Sequence, residues 1–555
     1  MLILYSMKWN ILDNSLVTSH KSLITVLLKN RKLNTKKEID DFLDPKNPSE
    51  IELRELKITK SSVQRIVKRL KIAKEKKEKI VVFGDYDCDG ICATAILWET
   101  LYKLGFDAMP YIPDRFEEGY GIKTSSFVNT KLKSLNPKLI ITVDNGIVAY
   151  DAIKEAKKRK IDLIVVDHHT KGDKQLKAYG ILHSTMVCGS ALAWFLANKV
   201  RPLNIASKRS DLNSGLDLVT IGTIADQMPL LGINRSLVRY GLPELAKTKR
   251  VGLQLMFKDL KLDSVGTYEV GYLIAPRINA MGRLDSATDS LRFLCTKDSK
   301  KAKDLNKLLN DTNSKRQKIV DEVLIKAIEK VNEDSVNTDK IIVISGNYHE
   351  GVIGLASGKI TEKFYRPSIV LSENKEISKA SARSIIGFNI IEAIKKTGLI
   401  IEGGGHPMAA GFSIETTKIS EFRAKINKIG DKNLSEEILT KKLLIDLKIN
   451  FNLINQELVD EIKKFDPTGQ GNYSPVFVSK NVEVKEAKII GQEGKHLKLK
   501  LSQNEIVFDA IAFGFANDQK LNANGVVSVA YTIEENVWNN KSSIQLKIKD
   551  IHLFD

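Results

Sequence analysis

Short apolar runs, rich in β-branched residues and ending on aspartate, recur along this chain. Ile80-Val81-Val82-Phe83 stops at Gly84-Asp85, and Leu139 to Val143 stops at Asp144. Leu163 to Val166 stops at Asp167, and Leu216 to Ala225 stops at Asp226. None of the four alternates polar with apolar, so each is predicted to be a strand covered on both faces. Helical patterns such as Ile91 to Leu101 fall between them, and the alternation predicts a parallel, doubly wound sheet whose ligands gather at the carboxyl edge. From 298 to about 332, apolar residues at helical spacing continue far longer than in an average helix and predict a long connector. A second α/β pattern comes next. After Asp466-Pro467 there are short alternating runs at 476–478, 482–490, 496–501, 506–513, 525–532 and 543–548, which suit an OB-fold β-barrel.

The expected organisation is therefore α/β throughout, with a barrel at the end. It comprises a helical region at 1–75, a doubly wound domain at 76–240, a helical connector at 241–336, a second α/β domain at 337–436 and the barrel at 437–555. With 555 residues, 43% hydrophobic and 28% charged, the composition is that of a chain that buries real cores, not a disordered one. A net charge of +18 points to a polyanionic partner. Cys88, Cys92, Cys188 and Cys295 form no CxxC pair and no zinc spacing, as expected of reduced thiols. The opening residues lack the basic stretch and long apolar core of a secretory signal, and no run approaches a membrane span. A cytoplasmic protein without a membrane partner is expected.

The first run ends in Asp85-Tyr-Asp87-Cys-Asp89-Gly90, three carboxylates that repel one another unless cations neutralise them. The same letters open an EF-hand, whose twelfth position must be a bidentate Glu. That position is Ile96, and a strand rather than a helix precedes the aspartates. Val143-Asp144-Asn145-Gly146 adds one carboxylate, Asp167-His168-His169 adds two imidazoles, and Ala225-Asp226 adds another carboxylate. Any one of these is an ordinary strand end. Together on one predicted edge they read as a metal site, and imidazole with carboxylate suits Mn²⁺ as well as Mg²⁺. Arg115, Arg277, Arg283 and Arg383 fall in Gly- or Ser-containing segments expected to be loops, where a guanidinium can reach a phosphate. In the barrel, Tyr531 and Trp538 are candidate stacking residues among Lys495, Lys498, Lys500, Lys541, Lys547 and Lys549.

The order Asp-x-Asp-x-Asp-Gly, Val-Asp-Asn-Gly, Asp-His-His and Ala-Asp resembles the four motifs of the DHH phosphoesterases. Pro113 to Gly121, Asn234-Arg235, Ala275 to Arg283, His349 to Gly354, Ser381 to Ser384, Gly403 to Phe412 and Phe465 to Asn472 resemble the branch of that family that degrades single-stranded DNA. The resemblance implies a two-ion centre in which Asp144 bridges, Asp85 and Asp87 complete one ion, and Asp89, His168 and Asp226 complete the other. His169 would face the scissile phosphate as stabiliser or proton donor, while Asp167, an Asp beside a ligating His, is expected to orient rather than to ligate. Ser381 and Arg383, with Arg283 or Arg277 beside them, would bind a 5′ phosphate. Arg115, Asn279, Gly404, Gly405 and His406 would also contact the strand. Thr170 to Cys188 departs from the family pattern, being short and without an Asn-Pro segment.

The same resemblance implies a monomeric exonuclease using two Mn²⁺ or Mg²⁺ ions. It would act on single-stranded DNA from the 5′ end, in recombination and repair, alongside a single-strand-binding protein and a RecQ-type helicase. Two alternatives stand beside it: a phosphodiesterase for short RNAs or cyclic dinucleotides, and a non-catalytic replication scaffold.

Overall fold

The structure, a computed structural model, describes residues 7–14, 19–203, 214–333, 339–491, 493–516, 525–538 and 541–553. Two units are present: residues 1–34, 316–464 and 474–555 form one, and residues 35–315 with 465–473 form the other. Strand β1 (Lys8–Asp13) lies where only helices are expected, and it belongs to the same unit as the C-terminal barrel.

In the second unit, β2 (Ile80–Phe83), β3 (Ala108–Tyr111), β4 (Leu139–Val143), β5 (Asp162–Asp167) and β6 (Gly180–His183) form an all-parallel sheet of order β3-β2-β4-β5-β6. Alternate residues enter different cores. Val81, Phe83, Ile140, Leu163 and Val165 face one side, while Ile80, Val82, Ile141, Val143, Ile164 and Val166 face the other. Double coverage is why these strands read as unbroken apolar runs.

The fourth run is not a strand. Leu216–Ala225 is an α-helix, packed among the helices Cys88–Lys103, Gly189–Val200 and Gly232–Ala246. Seven of its ten residues are buried, so it shows no polar stripe, and an apolar segment without a stripe cannot be told from a buried strand by periodicity. Asp226 therefore arrives from the C-terminal end of a helix, not from the strand edge.

Arg235 on the Gly232–Ala246 helix is buried, and its guanidinium donates to the carbonyls of Phe42, Phe465, Asp466 and Pro467. That network explains why residues 465–473 belong to this unit although the neighbouring chain on both sides does not.

The long helix is Ser299–Glu333; its 35 residues extend about 52 Å at 1.5 Å per residue. In the first unit, β7 (Ile342–Gly346), β8 (Ser368–Ser372), β9 (Ile377–Arg383), β10 (Ile400–His406) and β11 (Ala409–Glu415) form a mixed sheet of order β10-β11-β9-β8-β7. Strand β12 (Lys442–Lys448) pairs in parallel with β1, Lys8 opposite Lys442. It also meets β13 (Phe477–Ile490), which continues to β14 (His496–Gln503), β15 (Ile506–Ala512), β17 (Lys541–Leu553) and β16 (Val526–Trp538). Pairing of β13 with β16 closes these five into a barrel. The runs expected at 476–478 and 482–490 are one strand, interrupted by a register shift between Ser479 and Val482 where Asn481 has φ 57°.

Tyr531 is fully buried, and its hydroxyl meets Ser479 Oγ at 2.7 Å, so it is a core residue and not a stacking residue. The side chains of Trp538 and Lys541 lie outside the described residues. Among the described residues no helix is long and apolar enough to cross a membrane.

Candidate metal centre

The sheet register alone gathers most of the acidic residues. Phe83 is opposite Thr142, Val143 opposite Val166, and Asp167 opposite His183, so the loops after β2, β4 and β5 leave the sheet side by side. Asp87 caps the Cys88–Lys103 helix, its Oδ1 accepting from Gly90 N at 3.0 Å. This is the site where a short acidic side chain satisfies an orphan amide. Asp89, in the first turn, is buried and accepts from Gly189 N at 2.6 Å and Ser190 N at 3.0 Å. It thereby caps the N-terminus of the Gly189–Val200 helix, where the helix dipole favours a negative charge. Asp144 sits at φ 64°, an unusual backbone region for a residue other than glycine, and points its buried carboxylate into the cluster.

Three sets of donor atoms converge, each set mutually within 4.8 Å: Asp85, Asp87 and Asp144; Asp89, His168 and Asp226; and Asp144, His168 and His169. His168 Nε2 lies 3.1 Å from Asp144 Oδ1 and 3.7 Å from Asp226 Oδ2. Yet Asp144 Oδ1 and Asp85 Oδ1 are both buried without a hydrogen-bond partner. Buried carboxylate oxygens left unsatisfied among other carboxylates are costly unless a cation meets them. The donor set of carboxylate oxygens and imidazole nitrogen suits Mg²⁺ or Mn²⁺.

The protonation equilibria carry the same imprint. Burial, then Asp87, pushes Asp85 well above the carboxylate range. Burial, then the charges of Asp89, Asp87, Asp85 and Asp226, does the same to Asp144. Asp226 is pushed up to about 8, by burial and then Asp89. His168 is lowered, chiefly by burial. His169 goes the other way: burial opposes its charge, but the hydrogen bond and charge of Asp167 overcome that and raise it to about 9. Asp167 itself is held low despite burial. It accepts from His169 Nδ1 at 2.8 Å, from His169 N at 3.1 Å and from Ile147 N at 2.8 Å.

The arginines divide. Arg115 lies over the Tyr86 ring, 5.0 Å from its centroid, and its charge acts on Asp85. Arg283 acts on Asp87 and Tyr86. Arg277 is committed elsewhere, donating to Asn310 Oδ1 at 2.8 Å and Leu273 O at 2.6 Å. Neither Arg277 nor Arg283 is in a loop: both lie on the helix Ala275–Leu284, whose Pro276 is tolerated in the first turn. Asn279 on that helix accepts from Cys88 N at 2.8 Å and so holds the Asp-rich loop.

In the other unit, Ser381 and Arg383 are two residues apart and share one face of β9. A Cβ built at Gly354, in the first turn of the Ile353–Phe364 helix, would lie 3.0 Å from Ser381 Oγ and 3.5 Å from Arg383 Nη2. A hydroxyl, a guanidinium and a helix N-terminus together form an anion-binding arrangement. Arg383 ends a strand and is not in a loop. Gly404, Gly405 and His406 lie in the exposed edge strand β10.

Three contributors escaped the motif reading. Tyr120 places its hydroxyl 3.3 Å from His169 Nε2 and 3.3 Å from Asp144 O. His183, in the stretch that departs from the family pattern, contacts His169 O at 2.8 Å through Nε2. Gly189 lies so close to Asp144 that a Cβ there would be 2.5 Å from Oδ1. Of these, only Tyr120 stood in a segment that carried the resemblance.

Known proteins define the class. Residues 79–223 match the DHH family N-terminal domain, residues 337–430 the DHHA1 domain and residues 445–550 the RecJ OB domain. The chain is 34% identical to a single-stranded-DNA-specific exonuclease RecJ of Bacillus subtilis, over 95% of this chain and 67% of that one. It is 30% identical to the RecJ of Haemophilus influenzae, over 97% of each. A crystal structure of Thermus thermophilus RecJ in complex with Mn²⁺ superposes with a TM-score of 0.81 at 26% identity, covering 99% of this chain and 80% of that one. Its counterpart with Mg²⁺ gives 0.75 at 25% identity, with 99% and 79% covered. The chain belongs to the RecJ family.

Proposed function

We propose that this protein is a metal-dependent exonuclease that hydrolyses single-stranded DNA from the 5′ end, releasing 5′-mononucleotides, in recombination and repair. The observation that carries this reading is the set of three adjoining three-donor clusters linked through Asp144 and His168, with the buried Oδ1 atoms of Asp85 and Asp144 lacking a hydrogen-bond partner. Family membership supports the substrate and the ions. The relatives are named for single-stranded DNA, and the superposable structures hold Mn²⁺ or Mg²⁺. A scaffold protein would have no use for the full set of carboxylates present here.

Asp85, Asp87 and Asp144 would hold one ion, and Asp89, His168 and Asp226, with Asp144 beside them, would hold the other. Paired cations in such a site make water a nucleophile near neutral pH and offset charge on the attacking and leaving oxygens. The chain's own groups do the rest. Asp167 fixes His169 through Nδ1 and keeps it an imidazolium, so Nε2 presents a proton toward the phosphate. His168, lowered by burial, stays neutral and offers its lone pair. Arg115 and Arg283 add positive charge beside the carboxylates, and Ser381 with Arg383 binds the terminal 5′ phosphate. The protein works as a monomer with a single-strand-binding protein and a RecQ-type helicase.

With Mn²⁺ and end-labelled oligonucleotides, a 5′ label should leave first, as a mononucleotide, from single strands and not from blunt duplex. Earlier release of a 3′ label refutes the polarity, and equal cleavage of duplex refutes the strand preference.

A further inference from the structure

Upstream of the helix that carries Asn279 and Arg283, residues Glu269–Ile274 wind as a π-helix, a form that recurs at functional sites. Tyr268 and Tyr272 stand out from it, 60% and 70% exposed, with ring centroids 5.0 Å apart and planes 27° from parallel. Two large rings stacked on each other and mostly exposed leave a flat aromatic face in solvent.

Contacts of the neighbouring backbone place that segment beside the elements of the metal centre. The π segment runs directly into the helix Ala275–Leu284, where Asn279 accepts from Cys88 N. A Cβ at Gly282 on that helix would be 2.4 Å from Tyr86 O, so the helix presses on the Asp-rich loop. Tyr272 lies seven residues before Asn279, or about 10 Å along the axis at 1.5 Å per residue. On its other side, a Cβ at Gly271 would lie 3.7 Å from Ile224 Cγ2, two residues before Asp226. The segment that bears the pair thus packs against the helix that ends at Asp226 and leads into the helix that braces the Asp-rich loop.

We infer that Tyr268 and Tyr272 form a base-stacking platform for the strand held at the metal centre. The inference rests on the function proposed above. The occupant is an unpaired base, because an exposed ring offers a π-face to any base and no hydrogen-bond pattern to select one. Arg283 and Arg115, whose charges act on Asp87 and Asp85, supply the backbone attraction that stacking lacks. In a duplex the base faces are already occupied by their neighbours, so the platform favours single strands.

The test uses the full-length chain with Mn²⁺ and oligonucleotides in which one abasic residue is moved stepwise from the 5′ end. Stacking by one aromatic residue predicts that Tyr272→Ala raises KM for intact strands about tenfold, with kcat within about twofold. Tyr272→Phe should restore the wild-type KM. At one position the abasic strand should raise KM for the wild type yet be indifferent to Tyr272→Ala, because the partner ring is already absent. An unchanged KM for Tyr272→Ala, or abasic effects that add to it at every position, overturns the platform while the exonuclease reading stands. A wild-type protein that cleaves no single strand overturns both.

Discussion

Gly189→Ala tests whether the position of Asp144 matters independently of the residues that donate to a metal. The glycine opens a helix with ordinary backbone angles, so alanine is conformationally acceptable and raises helix propensity by up to about 1 kcal/mol. Its new methyl group, however, would lie 2.5 Å from Asp144 Oδ1, 2.6 Å from Asp144 Cβ and 2.7 Å from Cγ. Ordinary contact requires about 3.4 Å, so the carboxylate must retreat by roughly 0.9 Å. Overpacking of this kind costs about 1–3 kcal/mol, which a chain with extensive cores survives. A displacement of about 1 Å in a reacting constellation costs on the order of 100-fold in rate. Initial rates of nucleotide release at saturating Mn²⁺ should therefore fall about 100-fold, while circular dichroism stays that of the wild type and the melting temperature falls by only several degrees. Gly358→Ala is the matched control, since a Cβ there meets nothing within 4 Å. A Gly189→Ala rate within about threefold of wild type refutes the dependence on Asp144 placement.

Asp167→Asn removes the charge that holds His169 near 9, so its pKa should fall toward about 6.5. His169 is then largely an imidazolium only below that value, and the variant should keep most of its rate at pH 6 and lose about 30-fold at pH 8. An unchanged alkaline limb of the pH–rate profile rules this out. Asp85, Asp144 and Asp226 are raised in the fold, so without metal their stabilising contribution is complete below about pH 4 and is lost as pH rises, through about 8 for Asp226. The rise in melting temperature on adding Mn²⁺ should consequently be larger at pH 8 than at pH 5.5; an equal rise at both contradicts the linkage. Arg383→Ala should reduce the preference for 5′-phosphorylated over 5′-hydroxyl strands by about tenfold or more, the value of a charged hydrogen bond, and an unchanged preference ratio places the phosphate elsewhere.

The strands that carry Asp85, Asp144 and Asp167 were readable because both faces of the sheet are covered, which leaves unbroken apolar runs ending at one edge. The same property hid the helix before Asp226, since a segment buried on all sides has no stripe. Strand β1 was unreadable for a different reason: its partner starts at Lys442, far along the chain, and no local pattern encodes that pairing. Gly282 suggested a loop around Arg277 and Arg283. In the fold, Pro276 sits in a helix's first turn and the glycine permits close approach to Tyr86. Tyr531 looked like a stacking residue because aromatic residues in an OB barrel serve both its core and its ligand face, and only burial separates the two. Tyr120 and His183 act through a hydroxyl and a ring nitrogen brought in by loop geometry, which spacing along the chain does not reveal.

The central claim is that the donors meeting at Asp144 form a cation site that cleaves single-stranded DNA. Its most direct test is the rate at which a 5′-labelled single strand is cut at saturating Mn²⁺ by wild type and by Asp144→Ala. Loss of at least about 1,000-fold, with the folded far-ultraviolet spectrum retained, is the predicted result. An Asp144→Ala protein that cuts at the wild-type rate contradicts it.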